Sequence, residues 1–73
     1  MSKAIYTNEH KNLIEKLKSA RLSAKLDQKT AAHRLNKSQS YISKMESGQR
    51  KVDLVQLKQI AQVYGKNIDY FIK

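Results

Sequence analysis

Apolar residues recur along this chain at steps of three and four, which is the spacing of one face of an α-helix. In the first such stretch the apolar face runs from Leu13 to Ala24, and in a later one it includes Leu54, Leu57 and Tyr64. No alternation of apolar and polar residues lasts long enough to predict a strand. Helices are therefore predicted over about 8–24, 28–35, 39–47 and 54–64, with a short last helix that contains 68–72.

Polar residues that commonly cap helices stand at the predicted boundaries. A cap at a helix start accepts hydrogen bonds from the free backbone N–H groups, and a residue that tolerates positive φ lets the chain leave a helix. Candidates for the starts are Thr7 or Asn8, Asp27, Ser38, Asp53 and Asn67, and candidates for the ends are Asn36, Gly48 and Gly65. The connections between helices are short, so we expect one compact all-α domain of five helices.

The chain has 73 residues, 40% of them hydrophobic, which is enough for one small core. We expect the domain to span 8–73 and residues 1–7, which show no periodicity, to form a disordered tail. The absence of Cys excludes disulfides and thiolate metal sites. No apolar run approaches the ~18 residues of a membrane span and no signal peptide is recognisable, so a cytoplasmic protein is expected.

The positive charge is concentrated in one part of the chain. The whole sequence has 15 Lys and Arg against 6 Asp and Glu, a net charge of +9. Residues 10–51 hold eleven of the basic residues and three of the acids, whereas residues 52–73 are nearly neutral. Such a block fits a polyanionic partner, and equally a solvated surface that keeps the protein soluble. A membrane-surface helix fits poorly, because the block has no Trp or Phe.

The sequence offers no convincing catalytic or metal site. The two histidines, His10 and His33, are far apart and have no acidic cluster at ligand spacing. The acids are scattered singly, which leaves no pair of carboxylates for acid–base catalysis. We therefore expect a protein that is not an enzyme and that binds neither a cofactor nor a metal.

Two short helices joined by a tight turn inside the basic block predict a helix-turn-helix at about 28–47. Ala31 and Ala32 are small enough for the second helix to cross the third closely, and Asn36 suits the turn. Ile42 and Met45 would face inward. The opposite face of the third helix carries polar side chains that could reach base edges in a DNA major groove, namely Gln39, Ser40, Ser43 and Lys44.

From Gln28 to Gly48 the chain resembles the helix-turn-helix of the lambda-repressor-like, Cro-type (XRE) regulators. Gln28, Ala32, Ile42, Glu46 and Gly48 are in register with the family pattern, and the similarity extends over about 19–73. The chain departs from the pattern at Asn36 and Lys25, where the family commonly has Gly; a mildly strained backbone is expected at Lys25. The resemblance implies a compact five-helix DNA-binding domain.

The resemblance also implies roles for single residues. Gln39, Ser40 and Lys44 match positions that contact bases, and Ser43 is a weaker candidate for the same role. Arg21 and Glu46 match an internal ion pair between the first helix and the end of the third, which we expect to be structural. Contacts to the sugar-phosphate backbone are expected from Gln28, Lys37, Ser38, Tyr41, Gln49, Arg50 and Lys51.

Regulators of this kind read two-fold symmetric operators in double-stranded DNA as homodimers. Because the basic block would face the DNA, we expect the dimer contact in the nearly neutral segment 52–73. The residues predicted to form it are Tyr64, Ile68, Tyr70, Phe71 and Ile72. The alternative is that these side chains only close the core of the monomer.

The function expected from the sequence is a sequence-specific transcription regulator, bacterial or phage-encoded and associated with the nucleoid. Its small size suggests control by its own concentration or by a protein partner such as a toxin or an antirepressor. The main alternative is an antitoxin-type or other protein-interaction module that binds DNA only secondarily, and another is a nonspecific polyanion or RNA binder. The sequence does not choose among phage repressors, restriction–modification controllers and antitoxins, and it does not identify the operator.

Overall fold

The computed structural model describes residues 8–72, and these form helices joined by short connections. The helices are α1 (Asn8–Ser23), α2 (Gln28–Arg34), α3 (Gln39–Glu46), α4 (Leu54–Tyr64) and α5 (Ile68–Ile72). The described part contains no strand, which confirms the predicted all-α, five-helix fold. The tail predicted at 1–7 lies outside the described residues, as does residue 73.

Three helices begin at the capping residues that the sequence predicts. The side chains of Asp27, Ser38 and Asp53 each accept a hydrogen bond from the backbone N–H three residues ahead, at 2.7, 3.1 and 2.8 Å. Each cap residue has an extended backbone, which is the usual conformation at this position. The bond from the Thr30 N–H also lowers the pKa of Asp27, because it stabilises the charged carboxylate.

The first four helices end in the same way. Each is followed by a residue with positive φ, and the next N–H bonds back to a carbonyl of the last turn, at 2.8–3.1 Å. The four positive-φ residues are Lys25, Asn36, Gly48 and Gly65. Lys25, with φ of 61°, therefore adopts the conformation that its departure from the family pattern predicts.

The helices enclose one core. α2 packs on α3, and α1 packs against α3, α4 and α5. Leu17, Ile42, Met45 and Ile60 are completely enclosed, and they come from α1, α3 and α4. Leu54 is an exception to the predicted apolar face of α4, since 57% of it is exposed. It is the first residue of α4, and its side chain lies beyond the area that the other helices cover.

None of the helices within residues 8–72 is both long and apolar enough to cross a lipid bilayer.

The connection after α3 passes close to α1 at Gly48. Its φ is 84°, and a Cβ at this position would lie 3.1 Å from Cδ1 of Ile14. Gly65 has a similar φ of 72° but has open space where a Cβ would stand. The two glycines therefore separate the effect of backbone conformation from the effect of close packing.

We expect Gly65→Ala to lower the free energy of unfolding by about 1–2 kcal/mol, which is the usual penalty for a left-handed residue with a Cβ. Gly48→Ala should lower it further, because the Ile14 side chain must also shift away from the new methyl group. Urea unfolding of both variants measures the difference. Equal losses would show that the approach of Ile14 does not constrain this connection.

Candidate nucleic-acid interface

A buried ion pair joins α1 to the end of α3. Arg21 Nε lies 2.6 Å from Glu46 Oε2, and Nη2 of Arg21 donates to Oε1 at 3.0 Å. The two side chains are only 7% and 4% exposed. A third arginine nitrogen, Nη1, donates to the backbone carbonyl of Leu26 at 2.8 Å, in the connection between α1 and α2. The predicted ion pair is present. The hydrogen bonds of Arg21 connect α1 to the end of α3 and to the segment between α1 and α2.

The environment of Arg21 favours its charged form. The hydrogen bond to Glu46 raises the pKa of Arg21 above its ordinary value, although burial acts in the opposite direction. A raised pKa means that the folded protein binds this proton more tightly than the unfolded chain does. The resulting contribution to the free energy of unfolding is therefore complete below the ordinary arginine pKa. Arg21 therefore remains charged over the whole pH range in which the protein would work.

Gln28, predicted to contact a phosphate, is hydrogen-bonded to Glu46 of this ion pair. Its Nε2 donates to Glu46 Oε1 at 3.1 Å, so one carboxylate oxygen accepts from both Arg21 and Gln28. Gln28 is the first residue of α2 and is half-buried. An amide nitrogen has two hydrogens, so one donor of Gln28 is left for another acceptor.

The outer face of α3 is polar and accessible. The residues predicted to contact bases are all exposed, and they share one side of the helix at spacings of one, three, four and five: Gln39, Ser40, Ser43 and Lys44. On the inner side Ile42 and Met45 are completely buried. The division between the two faces of α3 leaves four polar side chains directed away from the core.

The segments that flank α3 carry further polar and basic side chains. Lys37, Arg50 and Lys51 are exposed, and with Lys44 they bring four positive charges to α3 and its two connections. Ser38 and Gln49 are also exposed, but both take part in local contacts: Ser38 caps α3, and Gln49 Nε2 donates to Ser47 Oγ at 3.0 Å. These five flanking residues, predicted to contact the DNA backbone, thus surround the outer face of α3.

Tyr41 differs from its expected role. The sequence predicts a contact between Tyr41 and the DNA backbone, but its hydroxyl donates to Gln56 Oε1 of α4 at 3.0 Å. The residue is only 8% exposed. Arg50 and Lys37 lie over its ring, with Cζ and Nζ 4.4 and 5.2 Å from the ring centroid. The proton of the hydroxyl is already used within the protein, so the hydroxyl has no hydrogen left to donate to a phosphate.

The predicted dimer patch is divided by the fold. Tyr64 and Phe71 are 3% and 4% exposed and belong to the core of the single chain, so their assignment to an exposed interface is wrong. Burial also raises the pKa of Tyr64 to about 12. Ile68 and Tyr70 are half-buried, and Ile72 is 60% exposed. Of the five residues predicted to form the patch, only these three remain accessible.

Two contributors to the site escaped the sequence analysis. The Leu26 carbonyl holds Arg21, and Gln56 holds Tyr41 from another helix. Neither leaves a sequence signal, because any residue supplies a carbonyl and the Tyr41–Gln56 contact exists only once α4 packs beside α3. Within residues 8–72, no group of three or more acidic or histidine side chains is placed to hold a metal ion.

Comparisons with known proteins identify similar chains. A family model described as Helix-turn-helix matches residues 17–71. A crystal structure of FeII HppE in complex with substrate superposes with a TM-score of 0.77 and 28% identity over 85% of this chain. One of apo-HppE gives the same TM-score, identity and coverage. The match spans only 36% and 35% of those two chains. Among curated proteins there is no match.

Removing one partner of the buried pair should be strongly destabilising. We expect Glu46→Ala to lower the free energy of unfolding by about 3–5 kcal/mol, because Arg21 is left charged and unpaired. The double variant with Arg21→Ala should recover part of that loss. Chemical denaturation of the parent protein, the two single variants and the double variant gives the double-mutant cycle. Glu46→Gln replaces Glu46→Ala if the latter does not fold. Additive losses would show that the two residues do not stabilise each other.

Proposed function

Because the chain belongs to the helix-turn-helix family of the Cro/XRE type, we propose that it is a sequence-specific transcription regulator that binds a two-fold symmetric operator as a homodimer. At the level of the family, its domain is a DNA-binding regulatory domain. The iron and the substrate named for HppE belong to that longer protein.

The observation that carries the proposal is the outer face of α3. It is about 12 Å long, from eight residues at 1.5 Å each, and a DNA major groove is about 12 Å wide. Gln39 can pair with adenine through two hydrogen bonds, and Lys44 can donate to guanine O6 and N7. Ser40 and Ser43, between them, can donate to or accept from any base edge. These four residues are therefore proposed to select the sequence.

Residues around α3 are proposed to bind the sugar-phosphate backbone. Lys37, Arg50 and Lys51 supply positive charge that does not depend on base sequence. Ser38 accepts from the Tyr41 N–H, so its hydroxyl hydrogen is available to a phosphate, and Gln28 has one amide hydrogen left. Gln49 adds a polar contact at the other end. Such contacts set the position of α3 in the groove, while the bases determine the preferred sequence.

The homodimer is proposed to form through α5 and the surface beside it. A single recognition helix contacts too few base pairs to find one site among the ~10⁶–10⁹ competitors in a genome, and two copies multiply their discrimination. Ile72 is exposed at the rim of a cleft between α1 and the C-terminal part of the chain, which is lined by the apolar residues Leu13, Leu57 and Phe71 and by the polar residues Glu9, Asn12 and Lys16. In a two-fold contact, Ile72 of each copy could enter the cleft of the other. Leu57, Phe71 and Ile72 belong to the nearly neutral part of the chain, whereas Leu13 and Lys16 of α1 belong to the basic block.

A repressor in the cytoplasm is the simplest cellular role for such a dimer, since a bound operator blocks other proteins. The competing interpretation, a protein-interaction module, would gain from a large exposed apolar patch at the C-terminal end. Of the five residues predicted there, only Ile72 is fully exposed. The accessible apolar surface of α5 is thus suited to a small symmetric contact.

Selection of bound duplexes from a random library at a stated salt concentration tests the function directly. We expect enrichment of one motif with two inverted half-sites about 34 Å apart, one turn of DNA, as in other helix-turn-helix dimers. Recovery of duplexes without a shared motif would support the nonspecific or protein-binding alternatives instead.

Lys44→Ala should weaken binding to the selected duplex by about 1–3 kcal/mol and relax the preference at one base pair in each half-site. Lys58→Ala is a matched control, because it removes the same charge from an exposed position on α4. Fluorescence anisotropy with single-base-pair variants of the duplex measures both effects. If Lys44→Ala weakens all sequences equally, Lys44 contacts the backbone and not a base.

The dimer is tested by Tyr70→Asp combined with Ile72→Asp, which places charge in the proposed contact. Sedimentation at micromolar concentration should show a monomer, and affinity for the two-half-site duplex should fall while circular dichroism remains unchanged. Leu22→Asp, at a 56%-exposed apolar residue near the other end of α1, is the control. Unaltered mass and operator affinity in the double variant would contradict a dimer through α5.

A further inference from the structure

The ring of Tyr41 makes cation–π contacts with two side chains from different parts of the chain. Lys37 comes from the connection between α2 and α3, and Arg50 comes from the connection between α3 and α4. Both lie over the ring, at 5.2 and 4.4 Å from its centroid. The ring itself is fixed, since Tyr41 is 8% exposed and its hydroxyl is bound by Gln56 at 3.0 Å. Two exposed, positively charged side chains thus contact the ring of one buried tyrosine.

The positive charges of Lys37 and Arg50 are not neutralised by an acidic side chain within residues 8–72. Two cations near one ring repel each other, and the face of an aromatic ring offsets only part of that repulsion. Within residues 8–72 no salt bridge to an Asp or Glu is found for Lys37 or Arg50. A group that could neutralise both must be an anion that approaches from solvent. A phosphate diester fits, because its negative charge is spread over two oxygens and an arginine can bind both.

Resting on the proposed function, we infer that Tyr41 is a positioning residue for DNA binding: its ring holds Lys37 and Arg50 in place as one clamp for a backbone phosphate. Free lysine and arginine side chains lose up to about 2 kcal/mol of rotational freedom when a ligand immobilises them. Side chains already held on a ring lose less on binding, so the clamp strengthens the phosphate contact. Tyr41 itself touches no phosphate.

The bond from Tyr41 to Gln56 gives the clamp a fixed position relative to α4. The ring belongs to the first turn of α3, next to Gln39 and Ser40, which are proposed to contact bases. A phosphate held by Lys37 and Arg50 would therefore fix the depth of the N-terminal end of α3 in the groove. The clamp acts on affinity for every sequence, and the choice among sequences remains with the outer face of α3.

The test compares variants that keep or remove the ring. Tyr41→Phe keeps the ring and loses the bond to Gln56, so DNA affinity should fall less than in a variant without the ring, because the ring still holds both cations. Tyr41→Leu removes the ring and should weaken binding about three- to tenfold on both the selected and a scrambled duplex. The preferred motif should stay the same. Thermal unfolding of each variant shows whether the fold is intact.

A charge-conserving change at the exposed Arg50 provides the control that does not depend on core packing. Arg50→Lys keeps the charge but loses the planar group that stacks on the ring. We expect it to weaken binding about two- to fivefold, and to have a smaller effect when Tyr41 is already Leu, because only the loss of the two-oxygen contact to the phosphate then remains. Arg34→Lys, at an exposed arginine at the end of α2, should have no effect in either background.

A measurement without DNA separates failure of this inference from failure of the proposed function. Ring currents should shift the side-chain proton resonances of Arg50 and Lys37 in the free protein, and Arg50→Lys should return the resonances at position 50 to ordinary values. Full additivity of Tyr41→Leu and Arg50→Lys, or ordinary shifts in the parent protein, would overturn the clamp. Absence of DNA binding by the parent protein would instead refute the proposed function.

Discussion

The bidentate pair between Arg21 and Glu46 determines how the recognition helix is held. An eight-residue helix such as α3 is too short to be stable in isolation, so its position depends on what it packs against. Apolar packing through Ile42 and Met45 holds the helix in the core but tolerates small rotations. Glu46 is the last residue of α3. Hydrogen bonds to both of its carboxylate oxygens depend on direction, so they allow much less rotation of the helix. Gln28 adds a third bond from α2 to the same carboxylate.

The pair has an energetic consequence as well. Removing two charges from water is unfavourable, and a buried pair often stabilises a protein no more than apolar residues of the same size would. Its value here is in specifying one arrangement, since Arg21 also binds the Leu26 carbonyl and so fixes the connection that leads into α2. The proposed presentation of four polar side chains to particular base edges would require this kind of constraint on α3. At the opposite end of α3, Tyr41 and Gln56 restrain its first turn from α4.

Local signals in the sequence were sufficient for most of the fold. Asp27, Ser38 and Asp53 determine where helices begin through bonds to residues three positions ahead, and such signals can be recognised without knowledge of the rest of the structure. The positive φ of Asn36 follows from its chemistry, whereas that of Lys25 was anticipated only through the family pattern. Even so, α1, α2 and α3 each end one residue earlier than the apolar pattern predicts.

Contacts between distant residues were harder to anticipate. Tyr64 and Phe71 look like surplus apolar residues near the end of the chain, yet both are buried in the core of the folded protein. Leu54 fits an apolar stripe by spacing alone but lies outside the covered area. The bond between Tyr41 and Gln56 joins residues whose proximity depends on the angle between two helices, and a sequence pattern carries no information about that angle.

In the proposed complex, DNA lies against α3 and its two flanking connections. Titration of the isotope-labelled protein with the selected duplex, followed by amide and side-chain chemical shifts, locates the contact residue by residue. The largest changes should fall on Gln39, Ser40, Ser43 and Lys44 and on the side chains of Lys37 and Arg50, with the exposed face of α1 unaffected. Changes centred on α4 or α5 with an unperturbed α3 would contradict the account.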